Sequence, residues 1–324
     1  MDGGASLMSG GDAVLAAKLE PLMPFLKKRG LVELNANRPG EVILEFPDGK
    51  RVIEKAPALT GHYWRHLCYV IANAAGKVFD PETQPFVSER IPGGHRFEAM
   101  ISNFSEWGIS VSIRMFRYSG ATLESFGLTG AWAERLVELV RAGSNIIISG
   151  GTSSGKTTLM NVLIPSIPAD KRILTVEDTR ELRVPHKDCN HFVPPRHASH
   201  DRPAAVDYPK IIDHLMRSRP DMVIPGELSI TNTFPTLRLL NTGHKGLMCT
   251  VHANSARLAL EQAIPFNVSL AGVKVVDLVP YLRRTIDLVV QVMKIGGGAR
   301  RVVEIWEPLR DEPVRLDEGA LQHE

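Results

Sequence analysis

Asn145-Ile-Ile-Ile-Ser149 runs without a break into Gly150-Gly-Thr-Ser-Ser-Gly155-Lys156-Thr157-Thr158. A short β-branched apolar run reads as a buried strand, and it feeds directly into G-x-x-x-x-G-K-[ST], with Leu159-Met-Asn-Val-Leu-Ile164 following as helix. The expected unit is strand, phosphate loop, helix. Gly150, Gly151 and Gly155 free the backbone for conformations that a Cβ resists, so that the amides of Thr152, Ser153, Ser154 and their neighbours can turn inward onto phosphate oxygens. Lys156 brings a point charge to the β- and γ-phosphates, and the Thr157 hydroxyl suits an octahedral Mg²⁺ shell. The helix through Thr158 aims the positive end of its dipole at the same place. Nucleotide binding, with ATP and Mg²⁺ as the expected ligands, follows from this stretch.

The rest of the composition narrows the setting. A chain of 324 residues has room for two domains, each with its own core. The 38 basic and 36 acidic side chains nearly balance at +2, so no nucleic acid or other polyanion is required as partner. Cys68, Cys189 and Cys249 lie far apart without a C-x-x-C pair, which fits a reducing, cytoplasmic setting. No run is long enough for a transmembrane segment.

Working outward toward the N-terminus, residues 1–11 are expected to be a disordered tail, and Pro21 and Pro24 to break a helix between Leu15 and Leu26. Lys27-Lys-Arg29 reads as a solvated helix end. Strands are expected at Leu31–Asn35, Glu41–Phe46, Arg51–Glu54, Phe86–Ile91, Arg96–Ile101 and Gly108–Phe116, with a Thr60-capped helix reaching Ala75. This amounts to an α+β domain over residues 12–117, a mostly antiparallel sheet with helices on one side. Residues 118–130, rich in Ser, Thr and Gly, are expected to be a linker and hinge.

Beyond the amphipathic helix Ala131–Arg141, strands and helices alternate, the mark of a parallel sheet wrapped by helices in an α/β domain over residues 131–324. Strands at Arg172–Val176, Met222–Ile224 and Leu247–Val251 and helices at Tyr208–Arg217 and Thr233–Asn241 precede helices near 256–263 and 275–284. A hairpin follows about Gly296-Gly-Gly298, and the end frays from Arg310. His186, Cys189, His191, His197 and His200 crowd a Pro-rich stretch that fits no standard zinc spacing and reads as a loop facing a neighbouring subunit.

Hydrolysis needs groups that orient water and neutralise the charge developing on the γ-phosphate, and α/β sheets place such groups at the carboxyl ends of strands. Glu177 follows Ile173–Val176, Glu227 follows Met222-Val-Ile-Pro-Gly226, and His252 follows Leu247–Val251. Each alone could equally cap a helix or serve as a hydrogen-bonded structural residue.

Four motifs stand in one order: Gly150–Thr158; Thr175-Val-Glu-Asp-Thr-Arg-Glu-Leu182; Arg219-Pro-Asp-Met-Val-Ile-Pro-Gly-Glu-Leu228; and Thr242-Gly-His-Lys-Gly-Leu-Met-Cys-Thr-Val-His-Ala-Asn-Ser255. Together with Asn37–Val42, Pro92–Arg96 and Ile109–Arg114 they resemble the hexameric traffic ATPases of bacterial type IV secretion and conjugation systems, within the type II/IV secretion ATPase superfamily, from about Leu19 to Leu309. The resemblance implies a RecA-like P-loop NTPase domain preceded by the smaller α+β domain, assembled as a homohexamer. Its expected place is the cytoplasmic face of the inner membrane, among other secretion-apparatus proteins, with nucleotide between the domains.

By the same resemblance Glu227 polarises the attacking water, Glu177 acts near Mg²⁺ and that water, and His252 reports the γ-phosphate. Arg96 and Arg114 match arginines that reach over the nucleotide as charge-neutralising fingers. A DNA-translocating or pilus-motor ATPase and a nucleotide-gated scaffold with little turnover are the rival readings; balanced charge and few aromatics speak against DNA, and Glu227 and Glu177 against the scaffold. Two positions depart from the family: Ser229 stands where Arg is usual, with Arg238 as a possible substitute, and Pro225 removes a ladder donor at the end of its strand.

Overall fold

The computed structural model describes residues 10–47, 49–116, 120–194, 206–241, 245–310 and 312–316, and it divides into two units, Met1–Tyr118 and Ser119–Glu324. The expected disordered tail falls almost wholly outside the described residues, as do His197, His200 and His244.

In the first unit, α1 (Gly10–Leu19) and α2 (Met23–Leu26) are separated by a 3-10 turn at Glu20–Leu22, the break foreseen from Pro21 and Pro24. Next come β1 (Glu33–Ala36), β2 (Glu41–Glu45), β3 (Arg51–Lys55), α3 (Gly61–Ala74), β4 (Phe86–Ile91), β5 (His95–Ile101) and β6 (Ile109–Arg114). The six strands form one sheet in the order β3-β2-β1-β6-β5-β4, every pair antiparallel. Alternation is strict where it matters: Leu34, Val42, Leu44, Phe97, Ala99, Val111 and Ile113 are buried while their neighbours along the strand are not.

Helix α3 starts where the Thr60 hydroxyl accepts from the Tyr63 amide at 3.1 Å. It buries Trp64, Leu67, Cys68, Ile71 and Ala72. Burial pushes the Cys68 thiol up to about 12, so it is an inert packing group. The basic run at 27–29 is not simply solvated, because Lys28 forms an ion pair with Glu54.

The second unit contains α4 (Gly130–Arg141), β7 (Ile146–Gly150), α5 (Lys156–Leu163), β8 (Ile173–Val176), β9 (Cys189–Phe192), α6 (Tyr208–Arg217), β10 (Met222–Pro225), α7 (Thr233–Asn241) and β11 (Met248–Val251). It continues with α8 (Ala256–Leu258), a π-helical turn at Ala259–Ala263, α9 (Ile264–Leu270), α10 (Leu278–Thr285), β12 (Leu288–Lys294), β13 (Arg300–Trp306) and β14 (Val314–Arg315). Two ladders, β10-β8-β9 and β11-β7-β12-β13-β14, are joined by the bridge Val223↔Leu247. The combined order is β9-β8-β10-β11-β7-β12-β13-β14, parallel as far as β12 and antiparallel beyond it. Both faces are covered: Ile146 and Ile148 of β7 enter one core cluster and Ile147 the other. The fold is an α/β P-loop NTPase domain preceded by an α+β domain.

Three expectations are corrected. The Pro-rich stretch is not all loop, because Cys189–Phe192 pairs in parallel with β8 as an edge strand; there His186 bonds the Ile167 carbonyl at 3.0 Å and His191 bonds Thr175 at 2.8 Å. The end does not simply fray from Arg310, since Val314–Arg315 extends the sheet beside β13. Within the expected linker, Glu124–Phe126 forms a 3-10 turn and Phe126 and Leu128 are buried in the second unit's core, so hinge freedom cannot extend through them.

Pro225 leaves a definite trace. Alternate residues of a parallel strand bond to opposite neighbours. The Gly226 amide reaches Val176 of β8 at 2.8 Å, so position 225 faces β11 with no N–H to give. The β10–β11 ladder is accordingly reduced to the single bridge Val223↔Leu247.

Candidate active site

The carboxyl ends of β7, β10 and β11 bring three of the sequence-expected residues into one chain of hydrogen bonds. The phosphate loop is shaped by sterics. At Gly150 a Cβ would lie 2.3 Å from the Val292 carbonyl oxygen, and Gly155 stands at φ +100°, a left-handed value that opens α5. Ser153 also adopts positive φ, at 59°. The Ser154 hydroxyl is buried without a hydrogen-bond partner among the described residues, an acceptor-seeking group in a loop whose amides and dipole suit a phosphate. Half-buried Thr157 and Thr158 sit in the first turn of α5.

Lys156 is largely buried, at 7% exposure. Its ammonium donates to the carbonyls of Gly150 and Gly151, each at 2.9 Å, and meets His252 Nδ1 at 3.2 Å. Those three contacts use all three of its donors. An ammonium can only donate, so Nδ1 accepts, and the ring proton resides on Nε2, which donates to Glu227 Oε1 at 2.8 Å. Burial lowers the Lys156 pKa, and the nearby negative charge of Glu227 partly opposes that shift. Glu227 and His252 side chains are about half exposed and border a cavity of about 320 Å³ that Ser229, Thr231 and Asn267 also line.

Glu177 is only 4% exposed. Its Oε1 accepts from the amides of Glu181 at 2.7 Å and Leu182 at 2.9 Å, curling the acidic segment around the carboxylate. Asn161 of α5 holds that segment, donating to the Glu181 carbonyl at 3.1 Å and accepting from the Arg183 amide at 2.8 Å. A Cβ at Gly226 would come within 3.0 Å of Glu177 Cγ, so the two acidic strand ends pack together through that glycine.

Arg96 and Arg114 lie in the first unit, brought together as directly paired positions of β5 and β6, and Arg90 on β4 pairs with Arg96 in turn. Three guanidinium side chains therefore share one row, with Glu33 on β1 at its end, 3.7 Å from Arg114. Like charges directly opposite one another are unfavourable in a sheet.

Several contacts escaped the sequence. Arg300 of β13 donates through Nε to the Ser153 carbonyl at 3.2 Å and has no carboxylate partner among the described residues. Gln291 of β12 bonds the Ser149 hydroxyl and donates to the Ala253 carbonyl at 3.1 Å, beside His252. Their signal is purely tertiary, since a lone Arg and a lone Gln on a hairpin carry no motif. Arg238 forms an ion pair with Asp213 at 3.0 Å.

A family model described as "Type II/IV secretion system protein" matches residues 21–289. The type IV secretion system protein PtlH of Bordetella pertussis is 31% identical, covering 89% of this chain and 93% of its own. VirB11 of Bartonella henselae is 29% identical, with 93% and 95% covered. The solved ATPase DotB of Legionella pneumophila superposes with a TM-score of 0.61 at 15% identity, over 95% of this chain and 83% of its own. The pilus retraction motor PilT with bound ADP gives 0.62 at 17%, over 94% and 84%; at such identity these two share the fold.

Proposed function

We propose that this chain, which belongs to the type II/IV secretion ATPase superfamily, hydrolyses ATP as a homohexameric motor at the cytoplasmic face of a type IV secretion apparatus, powering substrate transfer or pilus assembly. The observation that carries the reading is the continuous bond chain from the phosphate loop through Lys156 and His252 to Glu227. It gives polyphosphate a cation and water a carboxylate, linked through one imidazole.

Incoming phosphate oxygens compete for the Lys156 ammonium against the carbonyls of Gly150 and Gly151 and against His252. When the ammonium turns to phosphate, His252 Nδ1 loses its donor and the ring is free to reorient, which frees the Glu227 carboxylate to accept a proton from a water entering the adjoining cavity. Thr157 and Glu177 are the residues that would hold Mg²⁺, which would neutralise negative charge on the phosphates. Arg96 and Arg114 are proposed to neutralise charge on the transferred phosphoryl group. Among the described residues no helix is long and apolar enough to cross a membrane, consistent with a peripheral place beside other apparatus proteins.

Replacing Lys156 with Ala is the test. ATP turnover should fall by about a hundredfold or more, measured as phosphate release; turnover at the parental rate would defeat the catalytic assignment.

A further inference from the structure

Glu227 sits just beyond a weak point in the sheet. Pro225 interrupts the β10–β11 ladder, so although the Gly226 amide still bonds Val176 of β8, regular pairing with β11 does not fix the backbone that carries the carboxylate. Isolated side-chain and backbone bonds fix it instead. From β11, Thr250 donates its hydroxyl to the Gly226 carbonyl at 2.7 Å, and its own carbonyl accepts from the Leu228 amide at 2.7 Å. On the other flank stands Asn232, 2% exposed, whose Nδ2 donates to the Glu227 carbonyl at 2.9 Å and whose Oδ1 accepts from the Ser229 amide at 2.7 Å.

The ordinary job for an asparagine immediately before a helix is to cap it by accepting from amides further along. Asn232 immediately precedes α7, yet both of its side-chain bonds run backward, to residues 227 and 229. Its amide therefore spans the turn after Glu227 like a brace, donor at one end and acceptor at the other. Among the described residues the Ser229 hydroxyl has only a 3.4 Å contact to Thr231; what the brace uses is the backbone N–H of that position.

We infer that Asn232 is a positioning residue for Glu227, a neutral amide brace that holds the turn just beyond the interrupted ladder at Pro225. This rests on the reading of Glu227 as the group that orients water. Because the brace requires both a donor and an acceptor, Asp, the closest isostere, satisfies only Ser229 and sets a carboxylate against the Glu227 carbonyl.

The experiment compares Asn232→Ala and Asn232→Asp in the full chain, reading kcat for ATP hydrolysis, the Kd of a non-hydrolysable ATP mimic, and Tm. Both Asn232 variants should lose about 30-fold in kcat while the Kd changes by less than about twofold. Asn232→Asp folded and turning over at the parental rate overturns the inference. So does loss of mimic binding and Tm together with kcat in the Asn232 variants, which would mark a merely structural residue. Failure of the underlying reading looks different: Glu227→Gln would then hydrolyse ATP at the parental rate.

Discussion

In β1, β2, β5 and β6 of the first unit's sheet alternate side chains are buried, whereas β7, β8, β10 and β11 are buried at every position. The two sheets consequently offer chemistry in different places. An antiparallel sheet covered on one face can display a row of charge across its strands, as Arg90, Arg96 and Arg114 do. A parallel sheet covered on both faces can display functional groups only where its strands end, and there Lys156, Glu227 and His252 converge.

The comparison can be broken most forcefully at the first unit's core. Trp64, fully buried in α3, should cost about 4 kcal/mol when replaced by Ala, read from denaturant unfolding. A variant that keeps full stability would mean that this sheet does not depend on its covered face. The open face is sharpened by Arg114→Ala. Removing one of two directly opposed arginines should leave stability within about 0.5 kcal/mol while turnover falls about a hundredfold; unchanged turnover would demote that row to surface charge.

A smaller effect belongs to the second sheet's strand ends. The Lys156 pKa is lowered from 10.5, chiefly by burial. As pH rises through that lowered value the nucleotide-free protein loses its ammonium, and a bound polyphosphate must then take up a proton to restore it. Affinity for a non-hydrolysable ATP mimic should therefore begin to fall on the acid side of 10.5, by less than about tenfold per pH unit. An affinity that stays level up to that pH contradicts the assignment.

Much of this was legible in the chain. The phosphate loop announces itself by glycine spacing, and α6 and α7 begin and end where their amphipathic patterns do, at Tyr208–Arg217 and Thr233–Asn241. The strand Cys189–Phe192 was hidden because flanking prolines argue for loop, while its pairing with β8 is a long-range fact. Gln291 and Arg300 were hidden for a related reason: their backbone partners lie 38 and 147 residues away, and no spacing rule encodes such a contact, whereas the Asn232 bonds are local and run to residues 227 and 229. The consequence of Pro225 was visible in kind but not in direction, since only the register reveals that its missing N–H faces β11.

The most direct test of the site is Glu227→Gln, with ATP affinity and single-turnover phosphate release measured on the same preparation. Glutamine keeps the shape and can still meet the His252 ring, but it cannot take a proton from water. The account predicts ATP binding within about twofold of the parental chain and release slowed by about a hundredfold or more. Release at the parental rate would contradict it.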